Sequence, residues 1–529
     1  MRRLFSPLLA LALLAAALPA PAQTAKPPSL AAAPVRTDLG SVRGTVAGDT
    51  GDLGVFKGIP FAAPPVGDLR WKEPQSPAPW SDVRECTKTG PWCPQPPPLL
   101  GLKPDRTSED CLYLNVWTPA RTDHDKLPVM VWIHGGGFAS GSGGAPHYDG
   151  SSLARQGAVV VTINYRLGPF GFLAHPLLSK ESPHEVSGNY GFLDQVAALR
   201  WVRKNIAAFG GDPQCVTIFG ESAGSAAVAR LMVSPLAKGL FHRAIAESGG
   251  ARGHNRRLRE AHDGDESAEA VGERIARDLG CDKADDPLKA LRAKSAEELL
   301  AAAKPIQGLF GEGTRFGPVV DGWALPDDPD ALWAAGKQYD VPFLAGTNAN
   351  EGTIFLGKVP VRTAEQYRQS AQALFGGHAD DVLALFPADT DAAVRKMQDR
   401  LITVSAFASP ARAMVRAAAK GKSKAWLYQF THEPPVGRLL GLGAFHAGEI
   451  GYVFGNDMLG GGDKDRALAR TMSAYWVNFA RTGDPNGPGL PAWPAYTIAD
   501  DKYLELGDTI RAGSGLYKEA CDLFDRIHK

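Results

Sequence analysis

Beyond residue 22 the chain has no uninterrupted apolar stretch approaching the ~18 residues that a membrane-spanning helix needs, so no integral membrane segment is expected. Charge of one sign is also missing. Lysine and arginine total 57, and so do aspartate and glutamate, which gives no reason to expect a nucleic acid or other polyanion as partner. Cysteine is scarce, with six in 529 residues and no C-x-x-C pair, and there is no H-E-x-x-H helix; a structural or catalytic metal is therefore not expected. Neither G-x-G-x-x-G nor a phosphate-loop pattern occurs, which removes the common nucleotide-binding readings. There is no N-x-S/T sequon, internal repeat, heptad array or low-complexity tail.

The first 22 residues carry Arg2 and Arg3, an apolar stretch over 8–18 and the small-residue site Ala20-Pro21-Ala22, the pattern of a secretory signal peptide. Export to the periplasm or the medium follows as an expectation. With 44% hydrophobic residues, residues 23–529 can bury a large core and read as one catalytic domain with insertions.

Along that domain, residues 37–71 alternate short β-like runs with glycine and proline, suggesting a small antiparallel lead-in sheet. Residues 94–98 are proline-rich and read as loop. Apolar β-branched runs at 129–133, 159–164 and 216–219, with a helical pattern over 190–205, predict buried parallel strands alternating with helices. Residues 252–267 are dense in charge, and 270–279 and 288–303 look helical. Strand signals return at 341–346 and 425–431, separated by an alanine-rich helical region over 363–420. The fold class is α/β, a large mixed, mostly parallel sheet with helices on both faces and helical insertions.

The run Phe219-Gly220-Glu221-Ser222-Ala223-Gly224 sits between a strand pattern and a small-residue helix. A serine on such a tight strand-to-helix turn projects its hydroxyl clear of the backbone, which makes Ser222 the candidate nucleophile. A serine hydroxyl needs an imidazole base, and the imidazole an orienting carboxylate. In chain order Ser, acid, His, Glu351 follows the strand at 341–346 and is the candidate acid. Of the four later histidines, His378, His432, His446 and His528, His446 has the best setting, among small residues that allow a loop to fold over the serine. Trp132-Ile133-His134-Gly135-Gly136-Gly137-Phe138 follows a strand and bares consecutive N–H groups. Two oxyanion donors would come from these glycines and the third from Ala223, the residue after the nucleophile. His134 precedes the acid in sequence and reads as structural.

These segments resemble the type-B carboxylesterase and cholinesterase family. Residues 219–224 look like its first signature and Ser108-Glu109-Asp110-Cys111-Leu112-Tyr113-Leu114-Asn115-Val116 like its second. Similar segments recur at 58–71, 164–172, 188–195, 239–249, 318–322, 346–352 and 446–455. The resemblance implies the α/β-hydrolase fold, a Ser222–His446–Glu351 triad, Gly136, Gly137 and Ala223 as oxyanion donors, a Cys93–Cys111 disulfide, and ion pairs Arg70–Glu109 and Arg166–Asp194. It also implies that Glu221 tunes the field at the nucleophile. The loop between Cys93 and Cys111 holds no tryptophan, so the aromatic face that binds choline esters in that family is not expected. Cys281 resembles the start of a second disulfide loop without a partner in 288–299, which leaves Cys86, Cys215, Cys281 and Cys521 unassigned.

The expected activity is hydrolysis of a small-molecule carboxylic ester through an acyl-enzyme, with no cofactor. Two alternatives stay open: a specialised esterase for a bulky natural ester of the fumonisin type, suggested by residues 180–183 and 187–190, and a binding protein of the same fold without catalysis.

Overall fold

The computed structural model describes residues 29–48, 51–97, 104–253, 255–262, 264–456 and 460–528; the expected signal peptide and Pro98 lie outside them. Its strands are β1 (Val35–Arg36), β2 (Ser41–Arg43), β3 (Thr45–Ala47), β4 (Leu53–Pro60), β5 (Arg84–Glu85), β6 (Tyr113–Thr118), β7 (Leu127–Ile133), β8 (Val159–Ile163), β9 (Gly211–Glu221), β10 (Arg243–Glu247), β11 (Phe343–Asn348), β12 (Ala425–Phe430), β13 (Lys502–Leu506) and β14 (Arg511–Ser514). Eleven of them form one sheet in the order β14-β13-β12-β11-β10-β9-β7-β8-β6-β4-β3. The stretch from β13 to β8 is parallel, and the pairs at both ends are antiparallel.

The central strands are apolar along their whole length because both faces are covered. Val129, Val131 and Ile133 of β7 point into one core with Val161 and Ile218, whereas Met130 and Trp132 enter the opposite core with Val160, Phe219 and Ile245. Alternation within a single strand thus feeds both layers.

The lead-in region departs from expectation. β3 and β4 extend the main sheet, while β1, β2 and β5 form a separate three-stranded sheet that includes a parallel β2–β5 pair. The expected helix over 288–303 is two helices, Pro287–Arg292 and Ala296–Ala303, broken where Ser295 and Glu298 build a reciprocal capping box. The region 363–420 contains several helices and, over Thr403–Ala408, a π-helical turn. Pro410, just beyond it, has no N–H to donate to the preceding turn, and its ring disfavours regular α-winding there. Tyr190–Asn205 is helical as expected.

Among the described residues no helix is long and apolar enough to cross a membrane. Cys93 and Cys111 are disulfide-bonded, and Cys86, Cys215, Cys281 and Cys521 are free. Arg70 and Glu109 form an ion pair.

A second pair fastens the crossover helix to the sheet. Arg166, just after β8, donates from Nη2 to Asp194 Oδ1 at 2.7 Å and from Nε to Oδ2 at 2.8 Å, and both side chains are buried. Removing one member strands the other charge in a dry interior, at a cost of about 3–5 kcal/mol. Asp194→Ala is therefore expected to lower the urea midpoint clearly below that of the parent; an unchanged midpoint would show that the pair does not hold the helix.

Candidate active site

The site grows from the carboxyl ends of four neighbouring strands. In register, Ile133 of β7 lies beside Gly220 of β9, Glu221 beside Glu247 of β10, and Glu247 beside Gly346 of β11. The residues that follow each strand end are therefore delivered to one edge of the sheet.

At the end of β9 the chain reverses into the helix Ala223–Leu231 through Ser222, which adopts φ 57° and ψ −119°. A non-glycine residue rarely takes such a positive φ, and it does so here because the turn is fixed on both sides. A Cβ on Gly220 would stand 2.6 Å from the carbonyl oxygen of Ile133, and one on Gly224 only 1.9 Å from it. Both glycines of the motif are thus demanded by the end of β7. Ser222 N–H donates to Glu247 O at 2.9 Å, which ties the turn to β10.

Glu351 and His446 come together although 95 residues separate them. Asn348, at the end of β11, donates from Nδ2 to Phe445 O at 2.8 Å, and Asn350 exchanges backbone and side-chain bonds with Ala444. These contacts lace the Glu351 turn to the His446 loop. Glu351 Oε2 then meets His446 Nδ1 at 2.6 Å, while Oε1 accepts from Asn348 N–H at 2.6 Å and Thr347 Oγ at 2.7 Å. The π turn contributes as well: Thr403 Oγ accepts from Glu351 N–H at 3.0 Å, and the Phe407 ring packs 4.8 Å from the His446 ring. π-helical turns often mark functional sites because they re-aim side chains in this way.

The other ring nitrogen, His446 Nε2, lies 3.1 Å from Glu221 Oε1, without hydrogen-bond alignment. Among the described residues no hydrogen bond runs from Ser222 Oγ to the imidazole. Glu221 is nevertheless the residue next to Ser222, so Nε2 faces the elbow.

Three further carboxylates surround this pair, all buried: Glu221, Glu247 and Glu449. Burial pushes the Glu221 carboxyl up to about 8, against the pull of His446 and with the help of Glu449 and Glu351. Burial, then the Glu351 carboxylate, raises Glu449 to about 7, and burial with Glu449 raises Glu247 well above the usual range. Glu449 accepts from Ser248 Oγ at 3.2 Å and from Asn348 Nδ2; Glu247 accepts from Trp476 Nε1 at 2.8 Å. For His446, burial pulls the ring down, but Glu221 and Glu351 outweigh it and raise it to about 9.

His134 is elsewhere in character. Its ring is fully buried, stacked on Tyr165 at 4.4 Å with Nδ1 2.9 Å from Gly135 O, and burial pulls it down to about 4. It stays neutral and holds the glycine loop. That loop packs on the elbow: a Cβ on Gly135 would lie 2.8 Å from Glu221 O and 3.1 Å from Ser222 Cβ. Gly136 and Gly137 both take positive φ, 103° and 65°.

Above the elbow opens a cavity of about 790 Å³, lined beside the turn by Gly137, Phe138, Ser222, Ala223, Phe355 and Phe407. His446 stands behind Phe355 and Phe407 at 5% exposure. The wall also contains Arg230, Arg315 and His528; Arg230 was not anticipated as a site residue from the sequence. Among the described residues no cluster of metal-ligating side chains occurs.

The geometry has counterparts in known proteins. The carboxylesterase family model matches residues 31–524. The chain is 42% identical over 489 residues to a fumonisin B1 esterase of Sphingopyxis macrogoltabida, covering 89% of this chain and 87% of that protein. It is 41% identical over 485 residues to the para-nitrobenzyl esterase of Bacillus subtilis (strain 168), covering 87% and 92%. The solved structure of a PNB esterase superposes with a TM-score of 0.79 at 38% identity, covering 93% of this chain and 99% of that one. The chain belongs to the carboxylesterase family and is a carboxylic ester hydrolase with the α/β-hydrolase fold.

Proposed function

We propose that this protein hydrolyses carboxylic esters in two acyl-transfer steps on Ser222, with His446 as proton carrier, Glu351 as its orienting acid, and residues 23–529 acting as one catalytic domain. The observation that carries the reading is the 2.6 Å Glu351–His446 contact, presented beside a serine held at positive φ on the floor of a large cavity. His446 Nε2 takes the proton as Ser222 Oγ bonds to the ester carbonyl carbon. The N–H groups of Gly136, Gly137 and Ala223 stabilise the oxyanion. The C–O bond to the alcohol then breaks, and the alcohol leaves with the proton from His446. Water repeats the sequence on the acyl-enzyme, releasing the acid and restoring Ser222. The backbone supplies the donors, so the chemistry calls for no cofactor.

Export of the mature enzyme belongs to the same proposal and rests on the pattern of residues 1–22. A bulky ester as natural substrate is favoured by the cavity volume, which would hold far more than an acetyl group, and by the 42% identity to a protein named a fumonisin B1 esterase.

A p-nitrophenyl ester series from acetate to decanoate tests the mechanism. Ser222→Ala is expected to lose about 10⁴-fold or more in kcat; a variant within tenfold of the parent would remove Ser222 from the reaction. The pH profile tests the role of the buried acids. His446 must be neutral to accept a proton, and its neighbours raise it to about 9, so activity should climb with pH through the range below 9. Glu221→Gln removes the carboxylate that raises the ring most strongly, and the rising limb should shift to lower pH. A limb that stays in place, or moves up, would show that Glu221 does not act on His446.

A further inference from the structure

The glycine loop that packs on the Ser222 turn is braced from its outer side by Gln95, a side chain with no part in the mechanism above. Gln95 stands two residues after Cys93 and is buried. Its Oε1 accepts from Gly141 N–H at 2.8 Å, and its Nε2 donates to Gly141 O at 3.0 Å and to Cys93 O at 2.9 Å. An amide carries donor and acceptor on one flat group. Gln95 therefore pairs with both polar groups of Gly141, as the backbone of a neighbouring strand would.

Gly141 in turn fixes the glycines before it. It adopts φ 113°, and a Cβ there would stand 2.4 Å from His134 Nδ1 and 2.8 Å from Gly135 O. Its neighbour Ser140 donates to Gly136 O from N–H at 3.0 Å and from Oγ at 3.2 Å, and Ala139 N–H reaches the same oxygen at 3.1 Å. Residues 136–140 are thus a closed turn, which hangs from the end of β7 on one side and from the Gln95–Gly141 pair on the other. Among the described residues neither Gly136 N–H nor Gly137 N–H donates to a protein acceptor. Their direction is set by the turn that carries them.

The segment that holds Gln95 is itself tied down. Cys93 is bonded to Cys111, and Asn164, just after β8, donates from Nδ2 to Pro91 O and to Cys111 O, both at 3.0 Å. Asn164 Oδ1 accepts from Ser142 Oγ and Gly143 N–H, both at 2.9 Å. The disulfide and the far end of the glycine loop are therefore fastened to the same strand end.

An oxyanion donor acts only when it is aimed where charge develops, and a misplacement of about 1 Å can cost ~10²-fold in rate. A turn braced at one end alone would lose that aim. We propose that Gln95 is a positioning residue for ester hydrolysis: through Gly141 it holds the 136–140 turn so that the Gly136 and Gly137 N–H groups meet the oxyanion. This rests on the ester-hydrolase reading above and adds a residue that acts on it from outside the cavity.

Gln95→Met keeps the length of the side chain and removes its three hydrogen bonds. With p-nitrophenyl butyrate, kcat is expected to fall by about 10- to 100-fold while KM changes by less than about threefold. Trifluoroacetophenone reports on the oxyanion itself: Ser222 Oγ bonds to its carbonyl carbon, the C=O π pair moves to oxygen, and the serine proton passes to His446. Its inhibition constant should rise by the factor by which kcat/KM falls. A lower kcat with an unchanged inhibition constant, a rise in KM alone, or wild-type kinetics with a lowered urea midpoint overturns the positioning role and leaves ester hydrolysis standing. Wild-type protein that neither turns over the ester nor binds the ketone overturns the ester-hydrolase reading and the positioning role with it. If Gln95→Met does not fold, Gln95→Glu decides, since it keeps an acceptor for Gly141 N–H and loses both donated bonds. A parallel loss of kcat and ketone affinity then supports the role, and wild-type values of both overturn it.

Discussion

The register of β7, β9, β10 and β11 is the constraint on which the rest depends. It sets four strand ends side by side, and the glycine loop, the Ser222 turn, Ser248 and the Glu351 turn all leave the sheet from that edge. A slip of one residue between β7 and β9 would move Gly220 away from the Ile133 carbonyl and put a side chain where none fits. The strained elbow is thus held by packing of backbone on backbone. That explains why its conformation survives at a residue that would not choose it alone.

Electrostatics divides the site into two zones. Beneath Ser222, Glu221, Glu351 and Glu449 crowd around one buried imidazole, with Glu247 acting on Glu221 and Glu449. Like charges at that spacing favour protonation of some members, and hydrogen bonds from Asn348, Ser248 and Trp476 select which oxygens stay acceptors. Above Ser222 the cavity wall is rich in arginine.

Legibility in the sequence followed how local each signal is. The elbow was readable because two glycines, a strand and a helix lie within a dozen residues. The helix Tyr190–Asn205 and the buried strands β7 and β8 were readable because double-sided burial leaves an apolar run. β10 was not, because Arg243 and Glu247 at its ends mask a strand whose last residue is a buried acid. The convergence of Glu221, Glu247 and Glu449 was equally hidden, since each comes from a different segment. Arg230 looked like an ordinary basic residue near a helix end; only the fold shows that it is buried and lines the cavity.

The central claim is that one serine of the chain is activated. The measurement that tests it most directly is peptide mapping by mass spectrometry after exposure of the folded enzyme to a fluorophosphonate, which reacts with activated serines. The account predicts a single adduct, on the peptide containing Ser222, formed together with loss of ester hydrolysis. An unlabelled protein that still hydrolyses esters, or an adduct placed on another residue, would contradict it.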